Sequence, residues 1–297
     1  MGGEAMTTTP GREPGTTLQE PVFAVDGWTG NTVDDLGVEW WVTKEEGWAG
    51  SPPLRLSLAD RPERDGAFDS PSYRGPRVVT LEGTAVAPDR STKEYAKDRL
   101  AAVLADGSST AELTVREPHA TRRALVRLSA ETKITDVTPY TFAWSVQLTA
   151  PDPMRYGVDL RTAFCGLPQP GLGISFPIPQ WPLDFGTPNG GSMVLANAGT
   201  ATTWPVWTVT GQCDQPVIRD AGSGRWLGFG LRLYGGDVLV VDVAARTVRL
   251  NGASRRAALL PGSTWFGLAP GSTGVDFGAL RTDTPAVLSA SWRDAWI

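Results

Sequence analysis

Histidine is almost missing from this chain: His119 is the single one in 297 residues. It follows Pro118 in an Arg-Glu-Pro-His-Ala run that reads as a turn. Any nucleophile–histidine–acid catalysis would have to pass through it, and no G-x-S-x-G or reactive-cysteine context accompanies it. Cysteine is nearly as scarce. Cys165 and Cys213 are the only two, too few for a disulfide framework in a chain this long, and each is expected to be a free thiol. Together with His119 they are too few and too scattered for a zinc site. No catalytic residue, cofactor-binding residue or metal ligand is therefore expected. Runs of positive charge are absent too. The net charge is −5, and Arg122-Arg123 and Arg255-Arg256 are only pairs, so nothing attracts nucleic acid. No stretch approaches the ~20 apolar residues that cross a bilayer. The opening M-G-G-E-A-M-T-T-T-P has neither the basic start nor the apolar core of a signal peptide. Met6 stands where a myristoylation motif wants Ser or Thr. The expectation is a protein made in the cytoplasm and not inserted in a membrane.

What the chain does have is apolar content of 41%, twelve tryptophans and a dense supply of Gly and Pro, enough for two β-rich cores. Residues 1–20 are mostly Thr, Gly, Pro and Glu and read as a flexible arm. Residues 21–157 read as a first β domain. Val38, Trp40 and Val42, and then Leu54, Leu56 and Leu58, alternate as two strands. Ala59 to Gly75 is a long, charged, turn-rich loop, with Arg61, Arg64, Phe68 and Tyr73 as its candidate contact residues. A loop of that length in a compact domain is commonly functional, and an arm gripping a neighbouring subunit is one reading of it. The one helix is expected from Thr92, with Ser91 as cap, Glu94 completing a capping box and Gly107 as its end. Ala96, Leu100 and Val103 give it one apolar stripe, so it must pack on a sheet. Phe142, Trp144, Val146 and Leu148 alternate with polar residues as a half-buried strand that Pro151 and Pro153 terminate. Asp152, Arg155 and Tyr156, in the P-D-P-M-R-Y-G run, are expected to hold two domains in one orientation.

Residues 158–190 read as a Pro-rich connecting segment. Its Phe176, Ile178, Trp181 and Phe185 are too apolar for a solvent linker and suggest a stretch docked on a protein surface. Residues 191–297 read as a β-sandwich of short strands: Leu227, Phe229, Leu231 and Leu233 alternate, and Val238–Val243 with Thr247–Leu250 form a hairpin. Asp184, Asp237, Asp242 and Asp276 are the carboxylates from which a glycosidase pair would be drawn, but each sits in ordinary turn or strand-edge context. Trp181, Trp204, Trp207, Trp226 and Trp265 could stack on sugar rings, and would equally suit protein interfaces.

Taken in order, the strand–helix–strand segment 77–157 ending in A-P-D-P-M-R-Y-G, then F-P-I-P-Q-W-P-L-D-F-G, N-A-G-T-A-T-T-W-P-V-W-T-V-T-G, G-D-V-L-V-V-D-V-A-A-R-T-V-R-L-N-G and S-T-W-F-G-L-A-P-G resemble the distal tail proteins of siphovirus-type bacteriophages, particularly those of actinobacteria. The resemblance runs from Val22 to the end. It implies a mostly β, non-enzymatic structural protein: an N-terminal ring-forming β domain with one packed helix and a C-terminal galectin-like β-sandwich. It further implies a hexameric ring at the distal end of the virion tail, assembled in the host cytoplasm. The implied partners are the tail tube protein, a tail-associated hub protein and receptor-binding proteins, with DNA passing through the lumen unbound. Host-glycan binding by the tail tip is the alternative. Galectins bind sugar through a histidine, an asparagine and arginines, and residues 158–297 contain no histidine.

Overall fold

The computed structural model describes residues 12–168, 191–280 and 285–297. They form two compact units, one ending at Val158 and including Ile297, the other spanning Asp159–Trp296. Both are built from β-strands, with a single α-helix among the described residues.

In the first unit the strands Trp28–Gly30, Val22–Val25, Ala111–Arg116, Thr121–Leu128, Thr141–Ala150, Arg77–Val86, Glu39–Glu46 and Thr32–Val33 lie side by side in that order, each antiparallel to its neighbours. The alternation at Phe142, Trp144, Val146 and Leu148 does what period-2 patterning requires: all four are buried and the residues between them are half-exposed. Opposite them, Val79, Leu81 and Ala85 point into the same core. Its centre is aromatic. Trp28, Trp40 and Trp144 meet edge to face, with ring centroids 5.1 Å (Trp28–Trp144), 5.9 Å (Trp28–Trp40) and 6.2 Å (Trp40–Trp144) apart, the geometry that ring quadrupoles favour. Gly83 makes this cluster possible, because a Cβ there would lie 1.9 Å from the Trp41 carbonyl oxygen and 2.6 Å from the Trp144 ring.

The helix spans Arg90–Ala102 and buries Ala96 and Leu100 against this core, with Val103 just beyond its end. Its cap differs from the sequence expectation. Asp89 is the cap: its carboxylate accepts from the Thr92 amide at 2.9 Å and from the Ser91 and Thr92 hydroxyls at 2.6 and 2.7 Å. A carboxylate two residues upstream outcompetes the Ser91 hydroxyl, and Glu94 pairs with Lys97 instead of reaching back. The helix ends at Ala102, short of Gly107.

Within the expected arm 1–20, described residues from Gly15 to Gln19 are hydrogen-bonded to the first unit. The amides of Gly15 and Leu18 donate to the carbonyls of Val33 and Asn31. Asn31, fully buried, then accepts from the Gln19 side chain at 2.8 Å and the Val42 amide at 2.7 Å, and donates to the Pro21 carbonyl at 2.7 Å.

In the second unit a sheet ordered Arg161–Gly166, Val287–Trp292, Val206–Thr210, Val238–Asp242, Thr247–Leu250 and Ala253–Ser254 shares one core with a sheet ordered Ser192–Asn197, Gly271–Gly278, Val217–Asp220 and Trp226–Gly228. Trp207, Val241 and Leu288 enter that core from the first sheet, and Leu195, Ile218 and Phe277 from the second. The expected connecting segment 158–190 therefore begins with a strand of the sandwich, Arg161–Gly166, paired along its length with Val287–Trp292. The Val238 hairpin forms as expected, and Asn251-Gly252, both at positive φ (50° and 81°), turn the chain into Ala253–Ser254. The alternating run Leu227 to Leu233 is not one strand. Trp226–Gly228 joins one sheet and Arg232–Leu233 pairs with Cys213–Asp214. A tight turn, the Leu231 amide donating to the Phe229 carbonyl at 2.8 Å, breaks it between them.

Candidate functional site

The largest departure from the core pattern is the segment Leu54–Arg74. Leu54, Leu56 and Leu58 alternate as a strand should, yet they are 53%, 65% and 58% exposed, so they belong to no core. The segment pairs with itself. Leu54–Arg55 runs antiparallel to Tyr73–Arg74 and Ala59–Asp60 to Ala67–Phe68, making a hairpin arm around a turn closed by the Arg61 amide and the Gly66 carbonyl. The Ser70 hydroxyl donates to the Ser57 carbonyl between the two paired stretches. At the neck the Gly75 amide donates to the Pro53 carbonyl at 2.7 Å, and Arg74 donates to the Ser51 hydroxyl at 2.6 Å. Each limb extends about 20 Å at the usual rise of a strand.

Arg61, Arg64, Phe68 and Tyr73 all lie on this arm and all are exposed, with Arg61 stacked over the Phe68 ring at 5.4 Å. The leucine row on the ascending limb has the alternation of a strand, as the sequence suggests, but no core covers it. Alternation alone cannot say whether a second layer covers the apolar face. The nearby Pro52, Pro53, Pro62 and Pro71, which are poor neighbours for a central strand, were the available signal.

A cleft of about 590 Å³ opens elsewhere on the same unit, walled by Val22, Trp28, Val33, Trp40 and Val103 and edged by Asp26, Asp34, Asp35, Arg99 and Arg116. Asp34 is spent on structure: it accepts from the Leu36 and Val38 amides at 2.9 Å each and from the Trp40 indole at 3.0 Å. Arg99 reaches Asp35 at 2.6 Å, and this contact holds the Asp35 carboxyl below its usual range. Asp26 accepts from the Leu104 amide and has no cation partner among the described residues.

The P-D-P-M-R-Y-G run is anchored within the first unit. Asp152 accepts from the Met154 amide at 3.1 Å and from the Tyr156 hydroxyl at 2.6 Å; burial, then the Asp152 charge, push the Tyr156 phenol well above its usual value. Arg155 is buried, lies 5.7 Å over the Trp48 ring, approaches Glu117 at 3.9 Å and donates to the Ile297 carbonyl. Beside it, fully buried Arg77 donates to the carbonyls of Gly47, Trp48, Gly50 and Pro153 at 2.6–2.9 Å. Burial, and then the neighbouring Arg155 charge, bring Arg77 down to about 10. No pattern in the sequence marks Arg77, because buried arginines follow no periodicity. Phe176, Ile178, Trp181 and Phe185 lie outside the described residues, as does Asp184.

The catalytic candidates do not converge. His119 is largely exposed and meets Arg122 at 3.2 Å and Glu117 at 3.8 Å, with no nucleophile in the group. Cys165 and Cys213 are buried free thiols, and burial pushes both up to about 11, the opposite of activation. Asp237 and Asp242 cap turns, accepting from the Tyr234 and Ala245 amides. Among the described residues no three His, Cys, Asp or Glu side chains come together as metal ligands, and no helix is long and apolar enough to cross a membrane. Of the tryptophans that could stack on sugar, Trp207 is in the core and Trp226 and Trp265 are half-buried. Trp204, at 42%, is the most exposed, and Trp181 lies outside the described residues.

Residues 198–296 match the family model of the siphovirus-type tail component, C-terminal domain. No curated protein matches the sequence. Among solved structures the chain is similar to SPP1 Dit (gp 19.1), described as a paradigm of the hub adsorption apparatus in phages that infect Gram-positive bacteria. Identity is 14%, 94% of this chain and 100% of that one are covered, and the TM-score is 0.63. Two structures of the phage P2 baseplate in its activated conformation, with Ca and with Sr, cover 92% of this chain and 98% of theirs, at 8% and 9% identity and TM-scores of 0.46 and 0.45. The resemblance to siphovirus distal tail proteins is thus borne out, by the family model over residues 198–296 and by the fold of SPP1 Dit over nearly the whole chain.

Proposed function

We propose that the chain is a non-enzymatic structural component of a siphovirus tail tip, forming a hexameric ring that joins the tail tube to the hub and receptor-binding proteins. The observation that carries this reading is the match of residues 198–296 to the tail-component family. The arm supports the ring. A self-paired hairpin exposing Leu54, Leu56, Leu58, Phe68 and Tyr73 is marginal alone in water and gains most when covered by protein. A head-to-tail contact repeated around an axis closes into a ring when its rotation divides the circle. The C-terminal sandwich is the galectin-like part in this reading, and Asp152, Arg155 and Tyr156 fix the path of the chain as it leaves the first unit. The acidic net charge suits a lumen through which DNA slides without sticking. Mass photometry and negative-stain imaging of the purified chain test the proposal: six-fold rings are expected, and a monomer at micromolar concentration, with or without its tube and hub neighbours, would overturn it.

Host-glycan binding is the second reading, favoured by the exposed Trp204 ring alone. Its test is retention of the wild-type protein, and loss in Trp204→Ala, on immobilised host cell-wall polysaccharide.

A further inference from the structure

In the six-stranded sheet of the sandwich every second residue turns away from the core, and the strand register lines these residues up. One row runs Phe164, Ser289, Thr208, Val240, Arg249, from the strand Arg161–Gly166 across to Thr247–Leu250. Their chain neighbours Cys165, Leu288, Val209 and Leu239 are buried in the core, so this row faces outward. Phe164 is 78% exposed, more than any other large apolar side chain among the described residues. The Ser289 and Thr208 hydroxyls are half-exposed and make no hydrogen bond within the protein among the described residues. Four strand spacings carry the row over about 19 Å. At its far end stand cations without partners. The Arg255 amide donates to the Val248 carbonyl at 2.8 Å, which sets Arg255 beside Arg249, and Arg256 follows it. All three are exposed, and none pairs with a carboxylate among the described residues. Residues 159–297 carry arginine and no lysine.

We propose that this face binds a polysaccharide carrying phosphodiester groups, with sugar rings over Phe164 and the Ser289–Thr208 row and a phosphate held by Arg249 and Arg255. This deepens the glycan-binding reading, on which it rests, by naming a surface and a chemical class. The make-up of the face selects the occupant. A protein interface is centred on large apolar and aromatic side chains. Here the row has one aromatic ring, at an edge, and between it and the arginines come two hydroxyls and a valine. Such a surface suits a chain of rings whose C–H faces stack on an aromatic side chain and whose hydroxyls meet serine and threonine. Unpaired guanidinium groups then call for an anion. A planar carboxylate is saturated by one guanidinium fork, whereas a tetrahedral phosphate presents oxygens to two arginines on neighbouring strands.

The test measures Kd of the full chain by biolayer interferometry on phosphomannan, on the same polymer stripped of phosphate, and on polygalacturonate as the carboxylate polymer. Wild type is expected to bind phosphomannan best. Phe164→Ala and Arg249→Ala are each expected to weaken that binding about tenfold or more, the usual loss for a stacked ring or a charge-assisted hydrogen bond. Both side chains are exposed, so both variants are expected to melt with wild type. Arg232→Ala removes the same charge from the strand pair formed with Cys213–Asp214, and is expected to leave Kd unchanged. Equal weakening by Arg232→Ala would reduce the effect to net charge and overturn the site. Equal binding to the stripped polymer or to polygalacturonate overturns the phosphate. Retention on the stripped polymer alone, lost in Trp204→Ala, overturns this proposal and leaves the glycan reading standing. No retention on any of the three, nor on host cell-wall polysaccharide, overturns both. Should Phe164→Ala instead abolish rings in mass photometry, the face is a subunit contact and the proposal fails.

Discussion

At Gly83 the strand Arg77–Val86 passes so close to Trp41 and Trp144 that a methyl group has nowhere to go. Gly83→Ala is expected to lower stability by about 3 kcal/mol or more, since the obstruction on one side is backbone and cannot rotate away. Gly107→Ala, where a Cβ meets nothing within 4 Å, serves as the control and leaves the melting temperature within a degree or two of wild type. Equal melting of the two variants would show that the tryptophan cluster is looser than its geometry indicates. The two thiols report on solvent exclusion in the sandwich. Burial first, then nearby Asp276 for Cys165 and Asp214 for Cys213, hold them protonated up to about 11, against an ordinary value of 9.0. The unfolded chain therefore loses these protons first. The stability they support is complete below about pH 9 and is lost as pH rises through about 11. The native protein is expected to be silent to a thiol reagent at pH 8 and to titrate as two thiols per chain once unfolded in urea. Fast native reaction would place the sulfurs at the surface.

Among the elements, the helix depends on a residue that capping-box reasoning passed over. Hydrogen bonds from the Ser91 hydroxyl and then from the Thr92 amide and hydroxyl hold the Asp89 carboxyl down to about 2. Its contribution is thus present above the unfolded value of 3.8 and disappears as pH falls through about 2. Asp89→Ala is expected to remove that acid dependence and lower helical signal at neutral pH, whereas Ser91→Ala leaves more of it, the reverse of what the S-x-x-E pattern suggests. Inward strands such as Phe142–Leu148, and the helix stripe through Ala96 and Leu100, were legible in the sequence because burial imposes a period on them. The leucines at 54, 56 and 58 share that period without the burial, and the run from Leu227 to Leu233 keeps the period across a break between two sheets. Periodicity records which way a side chain points, and only the fold decides what it meets. The arm is open to a direct check, since its ends are already hydrogen-bonded to each other. Replacing Leu54–Arg74 by Asn-Gly between Pro53 and Gly75 should leave the melting temperature unchanged, because the arm buries almost nothing, and should abolish the proposed ring in mass photometry. A ring that survives this deletion would reduce the arm to a solvated excursion.

For the whole molecule, the parts that hold the two cores and the part proposed to make subunit contacts are different. The two cores are held by buried tryptophans, by Arg77 bridging four carbonyls and by satisfied amides such as Asn31, while the exposed arm adds little to either. On the proposed scaffold role, no single acid, base or nucleophile is indispensable. His119→Ala, Cys165→Ser and Cys213→Ser, provided each folds, are expected to leave tail assembly and phage infectivity within a few-fold of wild type. A single conservative change that abolishes infectivity in normally assembled particles would point to chemistry after all. One hydrogen bond at the neck, from the Gly75 amide to the Pro53 carbonyl, carries a consequence of another kind. The chain leaves the first unit and re-enters it at a single point, so everything between is a cassette. Its length and tip chemistry can be exchanged between related chains by cutting at two adjacent positions, with the supporting sheet left untouched. On the proposed role of the arm in the ring, recombination across a few dozen codons would give a phage a new set of compatible subunits, and the same short stretch would keep subunits of two phages sharing one cell from co-assembling.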